Sequence, residues 1–259
     1  MQGAYREQPD VSFLYKIIIV LEATSSTSDK PKEIFVSSME TINALRHDSF
    51  RMASIQSHEE DADIDGLNDW FTLEVDVPLN DDEQIKSMQT VAFFNYRLQK
   101  RVQLEMEAVA YTSVDSVFPM SGYDTEGVLV FRQTNPLGVR GYSSTLYRDE
   151  TPLVDTESAV AVHRVSNSNV GDILKRYRKR DVAADFLERY PVKELDLGAT
   201  SNRSYRLRIK IKVPQQEISY IPPLMEVLKD AWVKYVSVFV LCWLLLERVK
   251  SFAFRQHLV

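Results

Sequence analysis

The chain of 259 residues carries 37 acidic and 31 basic side chains, a formal charge of −6, and is 44% apolar. An acidic balance of this kind excludes the strongly basic footprint that nucleic-acid recognition demands, and a single cysteine, Cys242, excludes an internal disulfide. About 220 residues precede an apolar C-terminal stretch, enough to bury one sizeable core.

Met1 leads straight into the polar QGAYREQPD, which lacks the tripartite pattern of an export leader. Residues 13–21 are rich in Ile, Phe and Val and suit a pleated surface. Ser, Thr and Asp crowd 24–30, and that stretch reads as a surface loop. In 70–77, Phe71, Leu73, Val75 and Val77 alternate with Thr72, Glu74 and Asp76, the period of a strand with one face in a core, and Pro78 ends the run. Residues 90–98 are less regular but equally strand-like. Val102, Leu104, Met106, Ala108 and Ala110 alternate again, and 127–133 reads as a further strand. Pro, Gly and Ser in 135–151 predict a second surface loop. After Asn169 and Gly171, Asp172 is placed to cap a short helix with Ile173, Leu174 and Tyr177 on one face. The cleanest strand is 204–213, where Leu207, Ile209, Ile211 and Val213 oppose Arg206, Arg208, Lys210 and Lys212. Six or more strands joined by turns, with one short helix, predict a mainly β, antiparallel sandwich-like domain over 1–222.

Residues 231–254 contain an unbroken apolar run of 12 residues, 235–246. A bilayer needs about 20. Lys234 can extend its ammonium outward, and Trp232, Tyr235 and Trp243 suit an interfacial belt, so 231–250 is expected to be a transmembrane helix within a segment 223–254. Arg248, Lys250 and Arg255 follow the run, while the charges of Glu226, Lys229, Asp230 and Lys234 before it nearly cancel. The positive-inside rule then puts the tail 255–259 in the cytoplasm and the β domain on the exoplasmic side.

One motif carries recognisable chemistry. In EEDADIDGLNDW, Asp61, Asp63, Asp65 and Asp69 occupy positions 1, 3, 5 and 9 of a calcium loop, Leu67 can offer its backbone carbonyl at position 7, and Gly66 permits the sharp turn. Position 12 is Thr72, so the bidentate glutamate of an EF-hand is missing, and the flanking alternation sets the loop in a β-hairpin. The competing reading is an acidic, solvated turn. The four histidines, His47, His58, His163 and His257, have no metal-ligand spacing. Eight glycines form no phosphate-binding loop or nucleophile elbow, and catalysis has no visible apparatus. The basic KRYRKR at 175–180 and the 206–212 stripe read as solvated faces, with lipid headgroups or an acidic partner as the alternative. Asn202-Arg203-Ser204 is a usable N-glycosylation sequon.

YREQPDVSF, EEDADIDGLNDWFTLEVDVPL, FNYRLQKRVQLEMEAVAYTSVDSVFP and MEVLKDAWVKYVSVFVLCWLLLERVKSFAF, in that order, resemble the transmembrane protein 231 family, components of the ciliary transition zone. The resemblance covers most of the chain and is weakest over 135–166. It implies a non-enzymatic membrane subunit of the tectonic-like or B9 complex, which helps build a diffusion barrier at the base of the cilium and supports ciliogenesis. The partners it implies are B9-domain proteins, tectonics and meckelin-like membrane proteins, together with membrane lipid. The family carries a further transmembrane helix ahead of the segment matching YREQPDV, where this sequence has residues 1–4. The alternative reading is a calcium-dependent adhesion or carbohydrate-binding module on a membrane anchor, for which Trp70 is the available aromatic.

Overall fold

Alternation dictates the first element of the architecture. In strand β11 (Ser204–Lys212), Tyr205, Leu207, Ile209 and Ile211 are buried, and in β5 (Trp70–Pro78) so are Phe71, Leu73, Val75 and Val77. The two pair antiparallel with Leu207 opposite Val75 and Ile209 opposite Leu73, so both apolar sets face one core. The computed structural model describes residues 3–25, 28–139, 153, 170–196 and 203–255. The other strands are β1 (Gly3–Glu7), β2 (Asp10–Ser25), β3 (Ser28–Ser37), β4 (Ser54–Glu60), β6 (Glu83–Leu98), β7 (Leu104–Gln133), β8 (Leu137–Gly138), β9 (Val182–Glu188), β10 (Val192–Leu195) and β12 (Gln216–Ile221). The helices are α1 (Glu40–Leu45), α2 (Val170–Arg178) and α3 (Leu224–Arg255).

The large sheet runs β3-β2-β6-β7-β11-β5-β4, with β9 and β10 also on β7. The 30-residue β7 organises it. Its first half pairs with β6, from Leu104 opposite Leu98 to Met120 opposite Ile85. Its second half pairs with β11 over 122–128 and with β9 over 127–133. Thus β7 leaves one layer and enters another. Side chains of β2, β6, β5 and β11 fill a single core between the layers, bridged by Phe71 against Phe94 with ring centroids 5.3 Å apart. A sandwich-like arrangement follows. A small sheet, β1-β12-β8, closes one end.

The fold is mainly β, as expected, but not wholly antiparallel: β11 runs parallel to the second half of β7, and β12 parallel to β8. The reason is the chain excursion between β7 and β11, which lets β11 return in the direction of β7 rather than against it. Some local expectations are corrected, while the strand expected at 90–98 is met within β6. Residues 24, 25 and 28–30 extend β2 and β3 as a hairpin instead of forming a loop. The short helix stops at Arg178, Asp172 lies inside its first turn, and 182–188 is strand β9. The irregular alternation of 90–98 arises because both faces of β6 are covered: Val91 and Phe93 join Ile18 and Val109 in a second core beneath Ile42 of α1 and Val170, Ile173 and Tyr177 of α2. Of the loop expected over 135–151, residues 140–151 lie outside the described residues, and Leu137–Gly138 forms β8.

The C-terminal segment forms a helix of 32 residues, about 48 Å at 1.5 Å per residue. Its large apolar side chains, Trp232, Phe239, Leu244 and Leu246 among them, are exposed. The expectation of a membrane span is met only as far as the helix. Among the described residues no helix is long and apolar enough to cross a membrane, because Lys234 on one side and Glu247, Arg248 and Lys250 on the other bring charge into any stretch of sufficient length.

Candidate functional site

The acidic motif closes the β4–β5 hairpin. Glu60 pairs with Trp70, and the Asp69 amide bonds to the Glu60 carbonyl at 2.9 Å, which fixes the base of the loop. Within it, the Asp61 carboxylate accepts the amides of Ile64 at 2.7 Å, Asp65 at 3.3 Å and Gly66 at 2.9 Å. Asp65 accepts the amide of Leu67 at 2.8 Å. Such short-range acceptance by aspartate is what turns the chain here, helped by the positive φ of Ile64 (61°) and Gly66 (86°).

The turn brings together three of the four expected carboxylates, with ligand oxygens of Asp61, Asp63 and Asp65 all within 4.8 Å of one another. Among the described residues this is the one such group of acidic, histidine or cysteine side chains. The Asp63 pKa is raised, by desolvation first and then by the charges of Asp65, Asp69 and Asp61. Asp69 does not converge with them. Its two oxygens accept the Gln8 side-chain amide at 2.8 Å and the Ala62 backbone amide at 2.9 Å, and these bonds, Gln8 foremost, lower its pKa. Asp69 thereby ties the loop to the segment between β1 and β2.

Trp70, beside the loop, is not an open aromatic platform. The ammonium groups of Lys210 and Lys212 lie 4.4 and 5.1 Å from its ring centroid, within cation–π range. The rest of the basic stripe is paired with carboxylates in register: Arg206 meets Asp76 at 3.4 Å and Arg208 meets Glu74 at 3.3 Å. These exposed pairs make a solvated face, as alternation predicts. Asn202, His163 and His257 lie outside the described residues.

A second constellation has no sequence motif. The β6–β7 hairpin tip presents Arg101, whose guanidinium lies 5.1 Å from the Tyr220 ring centroid, bonds to the Tyr220 hydroxyl, and pairs with Glu226 at 2.8 Å. The Tyr220 hydroxyl donates to Glu226 at 2.9 Å, and Tyr5 packs edge-on against Tyr220 at 5.6 Å. Their mutual hydrogen bond, ahead of partner charge, raises the Arg101 pKa and lowers that of Glu226. Glu226 sits in the first turn of α3, so β1, β12 and the hairpin tip together hold the base of the long helix. Signals for this clamp are absent from local sequence because Arg101 lies more than 90 residues from Tyr5, Tyr220 and Glu226.

Fold and site define a β-sandwich-like domain clamped to the base of one long, exposed apolar helix. The chain belongs to the transmembrane protein 231 family, whose sequence profile matches residues 1–259. It is 28% identical over 257 residues to transmembrane protein 231 of Xenopus tropicalis, covering 99% of this chain and 78% of that protein. With the Gallus gallus protein it is 28% identical over 257 residues (99% and 76%), and with that of Homo sapiens 26% over 260 residues (100% and 78%). No solved structure matches.

Proposed function

We propose that this chain is a membrane subunit of the ciliary transition zone that acts by assembly rather than by chemistry, contributing to the barrier that retains ciliary membrane proteins. The observation that carries this reading is the family match along all 259 residues. On this reading α3 is the anchor. Its length of about 48 Å exceeds the roughly 30 Å hydrocarbon core, and Trp232, Tyr235, Phe239 and Trp243 stack in sequence along one stripe at 6.2–6.3 Å. Lys234 reaches the interface by extending its stem along the helix. The Arg101–Tyr220–Glu226 clamp then orients the β domain against the membrane. Its partners are B9-domain proteins, tectonics and meckelin-like membrane proteins.

The β domain lies on the exoplasmic face, with glycan on Asn202 and the C-terminus in the cytoplasm. Asp61, Asp63 and Asp65, with the carbonyl of Leu67, bind a structural Ca²⁺ weakly; Asp69 braces the loop instead of ligating. The convergence of three carboxylates on one turn supports this. The deciding experiment images the tagged gene product with a transition-zone marker in ciliated cells and follows retention of ciliary membrane proteins after deletion. Signal at the transition zone and leakage after deletion are expected. Uniform plasma-membrane signal with unchanged retention would refute the reading.

A further inference from the structure

We infer that the cavity between α2 and the outer face of β7 and β9 binds one membrane lipid with an anionic headgroup; the inference rests on α3 being the membrane anchor. The cavity holds about 430 Å³ and is walled by Val109, Tyr111, Leu174 and Phe186, a volume in the range of small-molecule sites. Its rim carries Arg132, Arg178 and Asp185. The Nε of Arg132 bonds to Asp185 at 2.8 Å, which balances one of the two guanidiniums. Arg178 is exposed and has no ion pair among the described residues, whereas Lys175 on the same helix is paired with Asp172. The rim therefore has one positive charge in excess above an apolar floor.

That combination favours an amphiphile. A free anion would satisfy Arg178 and leave the floor unfilled, while an uncharged chain would leave the guanidinium unused. Position favours a lipid as the source. Gln133, next to Arg132, exchanges two side-chain hydrogen bonds of 3.1 Å with the Ser219 backbone, five residues before α3 begins. The Thr134 amide bonds to the Asp181 carbonyl at 3.0 Å, three residues after Arg178. The rim thus lies toward the end of the domain from which α3 leaves, Ser219 being at most about 17 Å of extended chain from the helix base. The headgroup bonds to Arg178 and the free terminal amino groups of Arg132, and the acyl chain lies against Val109, Leu174 and Phe186.

The test reconstitutes the full chain in phosphatidylcholine vesicles doped with a trace of phosphatidic acid bearing a diazirine in one acyl chain. After irradiation, labelled peptides are mapped. Labelling of peptides containing Val109, Leu174 or Phe186 is expected, at least several-fold above that from a phosphatidylcholine probe with the same diazirine. Arg178→Ala and the cavity-filling Leu174→Trp should each reduce it several-fold, and Lys175→Ala should leave it unchanged, all three variants keeping wild-type circular dichroism. Labelling confined to α3, or equal labelling by both probes, would overturn the lipid site while leaving the anchor intact. Absence of label on α3 would instead defeat the anchor reading.

Discussion

Glu83 is a buried carboxylate, its side chain only 2% accessible, and removing its charge should weaken the domain. It lies at the start of β6, where Arg51 from the segment after α1 bonds to it at 2.5 and 2.9 Å, Lys32 of β3 at 2.7 Å, and the Asn80 backbone and side chain at 2.9 and 3.1 Å. One carboxylate thus joins three separate stretches of chain. Its pKa is lowered from 4.5 to about 2, chiefly by the Arg51 bond against the opposing effect of burial. A change of that size is worth about 3 kcal/mol at 1.4 kcal/mol per pKa unit. Because Lys32 is 54% accessible and Arg51 19%, water can partly receive both cations when the carboxylate is removed. Glu83→Gln should therefore cost about 2–3 kcal/mol, below the roughly 3–5 kcal/mol of a fully buried pair. The folded pKa is depressed, so this contribution is present above pH 4.5 and is lost as pH falls toward 2. Urea unfolding of the full chain in micelles, followed by far-ultraviolet circular dichroism, measures it. The gap between wild type and variant should be constant from pH 5 upward and should close on acidification. A gap below about 0.5 kcal/mol, or one that does not change with pH, would refute the assignment.

Three further outcomes are expected. Millimolar Ca²⁺ should raise the melting temperature of the wild type by ligand linkage and leave an Asp63→Ala, Asp65→Ala variant unmoved; equal behaviour of the two in calorimetry would make the loop a solvated turn. Tyr177→Phe removes a hydroxyl that donates to the Ala184 carbonyl at 2.6 Å and accepts the Ala184 amide at 2.8 Å and the Val109 amide at 3.3 Å. A loss of about 2 kcal/mol is expected in chemical denaturation, with faster hydrogen exchange at both amides. In Gly127→Ala the new Cβ would stand 2.4 Å from the Leu187 carbonyl oxygen and 2.5 Å from the Phe186 ring, so the β7–β9 contact must shift and the midpoint should fall by the equivalent of about 2 kcal/mol or more.

Much of this protein is determined by local pattern. Period-two alternation in 70–77 and 204–213 specifies which face of β5 and β11 is buried, because a strand slipped by one residue would expose Leu207, Ile209 and Ile211 together. The spacing of Asp61, Asp63 and Asp65 around Gly66 likewise prescribes the turn that gathers them. The apolar length of 235–246 prescribes an exposed helix. Tertiary structure decided the rest, wherever the controlling contact is distant in sequence. Residues 90–98 lost their alternation because α1 and α2 cover the second face of β6. Residues 182–188, helix-like in composition, became β9 because β7 offers them a free edge and both faces of Val182 and Ala183 are buried there. Asp69 was drawn from the loop by Gln8, 61 residues away, and the grip on α3 required Arg101, Tyr220 and Glu226 to meet. Propensity and spacing act within a few residues; pairing across the sheet and burial beneath a helix depend on which distant segments arrive, and only the folded chain brings them together.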